Sequence, residues 1–198
     1  MHYGDIHLSP ESGNNIKMKG YPEPLVKEEM DRIIEASMDD DFFYMLFIVA
    51  KKTGKRLGEL YDVKVKDIDF DRKIMITKIL KRRRRVEKET ILPLEVIPMI
   101  MRWIIKEKLK LDDYVFRKVG YRQIQNRTKS YGKKAGLTKN ISFHNFRHYF
   151  VTELVRKGWT WDQIIKLTGH ASPASLVSYD HTTAIDIEEK AREDIKDI

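Results

Sequence analysis

The sequence predicts a mainly α-helical domain with one small antiparallel β-hairpin, an α+β arrangement. Three observations predict it: apolar residues recur at helical spacing through most of the chain, a single pair of β-favouring segments brackets a run of five basic residues, and glycines stand where helical stretches end. At 198 residues there is enough chain for one well-buried core.

Residues 1–20 mix Gly, Ser, Asn and Pro without periodicity and read as a flexible N-terminal arm. The turn-forming Tyr21-Pro22-Glu23-Pro24 opens the domain, which is expected to run over 21–198. In 26–38, Met30, Ile33, Ile34 and Met38 follow helical spacing, and 42–50 is an almost continuous apolar stretch suited to a buried helix. A short helix is expected over 56–62. Segments 73–80 and 89–92 carry the strand signal, and between them Lys81-Arg82-Arg83-Arg84-Arg85 predicts a charged hairpin tip. Helices resume over 96–109, 122–134 and 144–157, with Gly136 and Gly158 as stops. Shorter ones are expected over 161–167, 174–179 and 185–195, the last amphipathic.

With 38 Lys plus Arg against 30 Asp plus Glu, the formal charge of +8 favours a polyanionic partner, nucleic acid foremost. A solvated basic surface explains the same composition. The absence of cysteine removes disulfides, thiolate nucleophiles and cysteine metal sites, and it fits a reducing intracellular setting. No apolar run approaches the roughly 20 residues of a membrane span, and the polar start with Asp5 does not read as a secretion signal. A membrane partner is therefore not expected.

Four separated motifs carry candidate chemistry. In His144-x-x-Arg147, the i, i+3 relation sets both side chains on one helix face, where a single phosphate can meet both. The helix N-terminus adds its positive end, and the guanidinium is a planar fork matched to phosphate oxygens. Gly169-His170 follows Ile164, Ile165 and Leu167 at a turn that can expose the imidazole, and Tyr179 comes nine residues later. In Thr53-Gly54-Lys55-Arg56-Leu57-Gly58-Glu59-Leu60, Glu59 lies one turn after Arg56 and can either orient it or form a plain surface ion pair. The fourth motif is the basic hairpin.

Taken in order, Thr-Gly-x-Arg-x-x-Glu-Leu, His-x-x-Arg, Leu-x-Gly-His and the following Tyr resemble the tyrosine recombinase (phage integrase) family, in an archaeal or viral integrase or Xer-like form. The resemblance runs from about Tyr21 to the end and covers the family's C-terminal catalytic domain, including the stretch 65–70 after the first Arg. The family's separate DNA-clamping domain has no counterpart in the short arm. The resemblance implies that Tyr179 attacks a scissile phosphate of double-stranded DNA, giving a 3′-phosphotyrosyl link and a free 5′-hydroxyl without metal, ATP or other cofactor. A phenol with a pKa near 10 needs a base and nearby cations to attack at neutral pH. His144 fits the base, Arg56 and Arg147 the charge of the transition state, and His170 a further donor. The proton for the leaving oxygen falls to a hairpin lysine, Lys81 ahead of Lys78, while Lys88 lies beyond the turn. The family's Gly-Lys-Gly turn is replaced by Leu80-Lys81-Arg82-Arg83, so a longer tip is expected. Lys78, Arg82, Arg83, Arg84 and Arg85 otherwise serve as phosphate contacts. His148 and His181 are read as supporting or packing residues, and Tyr131, Tyr149, Trp159 and Trp161 as core or DNA-facing. The resemblance further implies a tetramer on DNA from a protein that is monomeric in isolation, with the helix over 184–198 docking on a neighbour or in cis. Two other functions fit the residues: a non-catalytic basic DNA-binding protein, and strand passage of the type IB topoisomerase kind.

Overall fold

The computed structural model describes residues 25–81 and 84–169, with 79–81 and 84–85 described as backbone only. Arg82, Arg83, His170, Tyr179, His181, the arm and the helices expected over 174–179 and 185–195 lie outside the described residues. Helix α1 (Lys27–Ala36) buries Met30, Ile33 and Ile34, the stripe expected from their spacing. Helix α2 (Asp41–Thr53) starts at Asp40, whose carboxylate accepts the backbone N–H groups of Phe42 at 3.1 Å and Phe43 at 3.2 Å. It buries Phe42, Phe43, Met45, Leu46, Phe47, Val49 and Ala50, and so forms the centre of the core rather than a surface helix. It stops at Gly54, which takes φ 62°, a left-handed conformation that favours glycine. A Cβ there would lie 2.3 Å from Phe150 Cδ1, so the position excludes side chains on space as well as on φ.

Helix α3 (Leu57–Tyr61) and a 3-10 turn (Val65–Asp67) lead into a three-stranded antiparallel sheet of β1 (Ile68–Asp69), β2 (Ile74–Lys81) and β3 (Arg84–Ile91), in that order across the sheet. Two expectations change here. Strand β1 is additional to the expected hairpin, and β3 begins at Arg84 rather than near Glu89, because Lys81 pairs with Arg84 and Leu80 with Arg85. The added residues therefore lengthen the strands and leave only Arg82 and Arg83 between them, correcting the expected longer tip. Cross-strand pairing overrides the low β propensity of the arginine run.

Helix α4 (Ile97–Lys106) brings Trp103 against Phe42 at 5.4 Å, with the indole N–H donating to the Val115 carbonyl at 3.0 Å. Helix α5 (Tyr121–Lys134) follows, then α6 (His144–Arg156), whose Phe146 stacks on Phe47 with ring centroids 4.9 Å apart. Helix α7 (Trp161–Thr168) is capped by Thr160 and closes a second small apolar cluster of Val151, Leu154 and Ile164. Among the described residues, no helix is long and apolar enough to cross a membrane.

Candidate active site

The first part of the site grows from the end of α2. Past Gly54 the chain turns at once into α3, and Arg56 stands at that helix's N-cap. Glu59 satisfies the turn from inside: one carboxylate oxygen accepts the Arg56 backbone N–H at 3.3 Å and the other accepts from Arg56 Nη1 at 2.8 Å. The Arg56 side chain is 44% exposed and that of Glu59 only 6%. A buried carboxylate thus holds one edge of a guanidinium that still reaches the surface.

Arg147 comes from α6 and is fully buried. Its Nη1 donates to the Gly54 carbonyl at 2.9 Å and its Nη2 to the Thr168 carbonyl at 3.1 Å. These carbonyls end α2 and α7, where the helix dipoles place partial negative charge, so one cation fastens two helix C-termini. Both helices finish in a left-handed glycine, Gly54 at φ 62° and Gly169 at φ 73°. Arg147 therefore fixes the turn that leads to Arg56 and the turn that leads to His170.

His144, the first residue of α6, is exposed. The turn before it is closed by Asn145, whose side-chain oxygen accepts from the Ser142 backbone N–H at 2.8 Å and its hydroxyl at 2.9 Å. The His144 pKa lies below the ordinary histidine value because surrounding protein displaces water and because Arg147 and Arg56 oppose a further positive charge. One turn on, His148 meets His144 edge to face at 4.7 Å, and burial, helped by His144 and Arg147, pushes its pKa down to about 4. Both shifts favour the neutral ring. Arg56 and His144 line one cleft of about 590 Å³, whose far wall is the polar face of α5 with Arg122, Gln125 and Lys129.

The hairpin lysines separate by strand alternation. Thr77 is fully buried and hydrogen-bonds the Thr90 hydroxyl at 3.2 Å, so its neighbour Lys78, paired with exposed Glu87, belongs to the opposite face. Lys88 pairs with Thr77 and shares its face, and its ammonium donates to the Lys166 carbonyl of α7. That places Lys88 beside the helix end that Arg147 holds. Lys81 lies at the far end of β2. A further cation, Lys55, is fully buried between Gly54 and Arg56.

The model of the phage integrase family matches residues 23–185. The chain belongs to the phage integrase family. Similar proteins include the tyrosine recombinase XerA of Pyrococcus furiosus, 29% identical over 184 residues that make up 86% of this chain and 61% of the relative. The tyrosine recombinase XerC of Thermodesulfovibrio yellowstonii is 25% identical over 196 residues, 90% of this chain and 64% of that protein. The chain thus spans less than two thirds of these curated relatives. The crystal structure of XerA recombinase matches with a TM-score of 0.74 and 27% identity, covering 87% of this chain and 65% of that one. A post-cleavage complex of the XerH recombinase with palindromic difH matches with a TM-score of 0.68 at 22% identity, covering 86% of this chain and 52% of that one, which shows the shared fold.

In this member of the phage integrase family, Arg56, Glu59, His144 and Arg147 are brought together as the motif spacing suggested, and Lys78 is set on the face away from them. Arg82, Arg83, His170 and Tyr179 lie outside the described residues. Tyr131 and Tyr149 are buried, and desolvation raises both phenols, Tyr149 to about 12, which suits packing. Among the described residues no three His, Cys, Asp or Glu side chains group as metal ligands do. Two nearby residues carry little signal in the sequence. Lys88 lies past the turn, and only its pairing with an inward Thr77 points to it. Lys55 occupies an unmarked position of the first motif.

Proposed function

We propose that this chain is the catalytic part of a site-specific DNA recombinase that cuts and rejoins double-stranded DNA through Tyr179. The observation that carries this reading is the shared cleft of Arg56 and His144, with Arg147 buried beneath it. The Tyr179 oxygen attacks the scissile phosphorus, His144 takes the phenolic proton, and the bond to the 5′-oxygen breaks as Lys81 protonates that oxygen. Arg56 donates to the non-bridging oxygens, Arg147 adds its charge from below, and His170 supplies another donor. Glu59 holds Arg56 in place. Because one phosphodiester replaces another, a 5′-hydroxyl can reverse the step and reseal the strand without ATP. Metal is not required, since the guanidiniums supply the charge. The basic hairpin, with Lys78, Arg82, Arg83, Arg84 and Arg85, contacts backbone phosphates. Strand exchange between two duplexes calls for a tetramer on DNA, formed inside the cell from monomers.

One observation favours a second donor of the proton: the Lys88 ammonium reaches the Lys166 carbonyl of α7, next to the helix end that Arg147 holds. A substrate with sulfur at the 5′ bridging position separates the candidates, because a thiolate leaves without a general acid. Lys81→Ala is expected to be rescued by it; rescue of Lys88→Ala alone moves the role to Lys88. The reaction itself is tested with a nicked duplex that loses its 5′ end on cleavage. A covalent adduct on the 3′ end, formed in chelator and without ATP, is expected. Salt-sensitive binding with no adduct would leave a DNA-binding protein only.

A further inference from the structure

Among the described residues, the largest fully buried polar side chains are Arg147 and Lys55. Arg147 is hydrogen-bonded to two carbonyls, but the Lys55 ammonium nitrogen has no hydrogen-bond partner. Burying an unpartnered ammonium costs several kcal/mol, and the usual escape is loss of the proton. A methionine or leucine would fill the same space without that cost.

The surroundings say what the amine is placed to sense. Lys55 sits in the short turn that Arg147 grips through the Gly54 carbonyl, directly before Arg56. The charged groups that face it are Glu59 and Arg56 from α3, Arg147 from α6 and Lys88 from β3. Three of these four are cations, and the one carboxylate is already committed to Arg56. Burial first, and then Lys88, Arg147 and Arg56, lower the amine to about 8, with Glu59 alone pulling it up. An anion arriving at Arg56 would reverse this balance, by compensating the guanidiniums and by attracting the ammonium itself.

We propose that Lys55 is a positioning residue of the phosphate pocket: its buried amine holds its proton more tightly when a phosphodiester enters beside Arg56 and Arg147, so that bound substrate keeps a cation under the site into alkaline solution. Lys55 does not touch DNA in this arrangement; it acts through the turn and the two guanidiniums. The empty pocket sheds this charge as the pH rises past about 8, and the loaded pocket keeps it. The proposal rests on the reading of this cleft as the DNA phosphate site.

Lysine labelled with ¹³C at Cε in the full chain reads the titration directly by NMR, with the Lys55 resonance identified by its loss in Lys55→Met and, independently, in Lys55→Arg. In the free protein Lys55 is expected to titrate near pH 8, apart from the surface lysines. With a saturating mixed-sequence duplex at low salt, its midpoint should rise by at least about one pH unit, and duplex affinity should fall up to about tenfold per pH unit between the two midpoints. Lys55→Met should lose that part of the pH dependence. If every lysine of the free protein titrates above about pH 10, or if the Lys55 midpoint stays in place on bound DNA, the proposal is overturned while the recombinase reading stands. Absence of salt-sensitive duplex binding overturns both, and is distinguishable because it appears in the binding curve before any titration. Should Lys55→Met fail to fold, calorimetry of the unaltered protein near pH 8.5 in buffers of differing ionisation enthalpy still decides: uptake of a proton on binding supports the proposal, and none overturns it.

Discussion

Along the seam between α2 and α6, Phe47 stacks on Phe146, Phe150 fills the space that Gly54 leaves open, and Arg147 is fully buried on two helix-end carbonyls. Along β2 and β3 the ladder continues to Lys81 and Arg84, but its inward packing among the described residues is carried at the base, by Met75, Thr77 and Thr90. The two regions hold their cations differently. At the seam, the charge proposed to stabilise a transition state is fixed by the same contacts that fix the fold. In the hairpin, charge is carried on a ladder whose backbone pairing does not depend on which basic residue is present. Substitution should therefore damage stability and chemistry together at the seam, and only DNA affinity at the hairpin arginines.

The largest effect is expected from Arg147→Ala. It removes the donors to the Gly54 and Thr168 carbonyls, each worth about 1–3 kcal/mol when left unsatisfied, and a preorganised charge worth about 10²–10³-fold in rate. Thermal unfolding and single-turnover cleavage should both fall; a variant with unchanged melting temperature would break the link drawn between seam and site. Arg56→Ala sharpens the comparison, because its side chain is 44% exposed and its ion pair with Glu59 lies at the edge of the core. Cleavage should slow by about 10²–10³-fold with stability changed by no more than about 1 kcal/mol.

A smaller effect follows from His144. Its lowered pKa favours the neutral ring, which is able to accept a proton. The cleavage rate should therefore decline on the acid side with a limb set by His144, at a lower pH than an ordinary histidine would give. His144→Ala should remove that limb along with most of the rate. The smallest effect belongs to the hairpin: replacing Arg84 or Arg85 with Gln should leave the melting temperature unchanged and reduce the slope of log K against log salt by about 0.9 for each phosphate that is no longer neutralised. A large loss of stability there would show that the hairpin is part of the core after all.

Much of this arrangement is legible in the chain because the helices declare themselves through apolar spacing, as Met30, Ile33 and Ile34 do, and because Gly136 and Gly158 mark their ends. The order of the motifs groups Arg56, Glu59, His144 and Arg147, which the fold brings close together. What escaped was decided by contacts across the fold. Strand β1 has only two residues, too few for any periodicity, and the arginines of β3 follow the register of β2 against their own propensity. The i, i+3 spacing of His144 and Arg147 gives a common face but not depth, and one proves exposed while the other is fully buried. Nothing local distinguishes Lys55 from a surface lysine; its burial arises from the closeness of the α2 end to α6.

The central claim is that this cleft delivers a DNA phosphate to Tyr179. It is tested most directly by trapping the protein on a nicked duplex, digesting the adduct and locating the attached nucleotide by tandem mass spectrometry. The nucleotide should map to Tyr179, and Tyr179→Phe should bind the same duplex with nearly unchanged affinity and yield no adduct. Attachment at any other residue, or an adduct formed by Tyr179→Phe, would contradict the assignment.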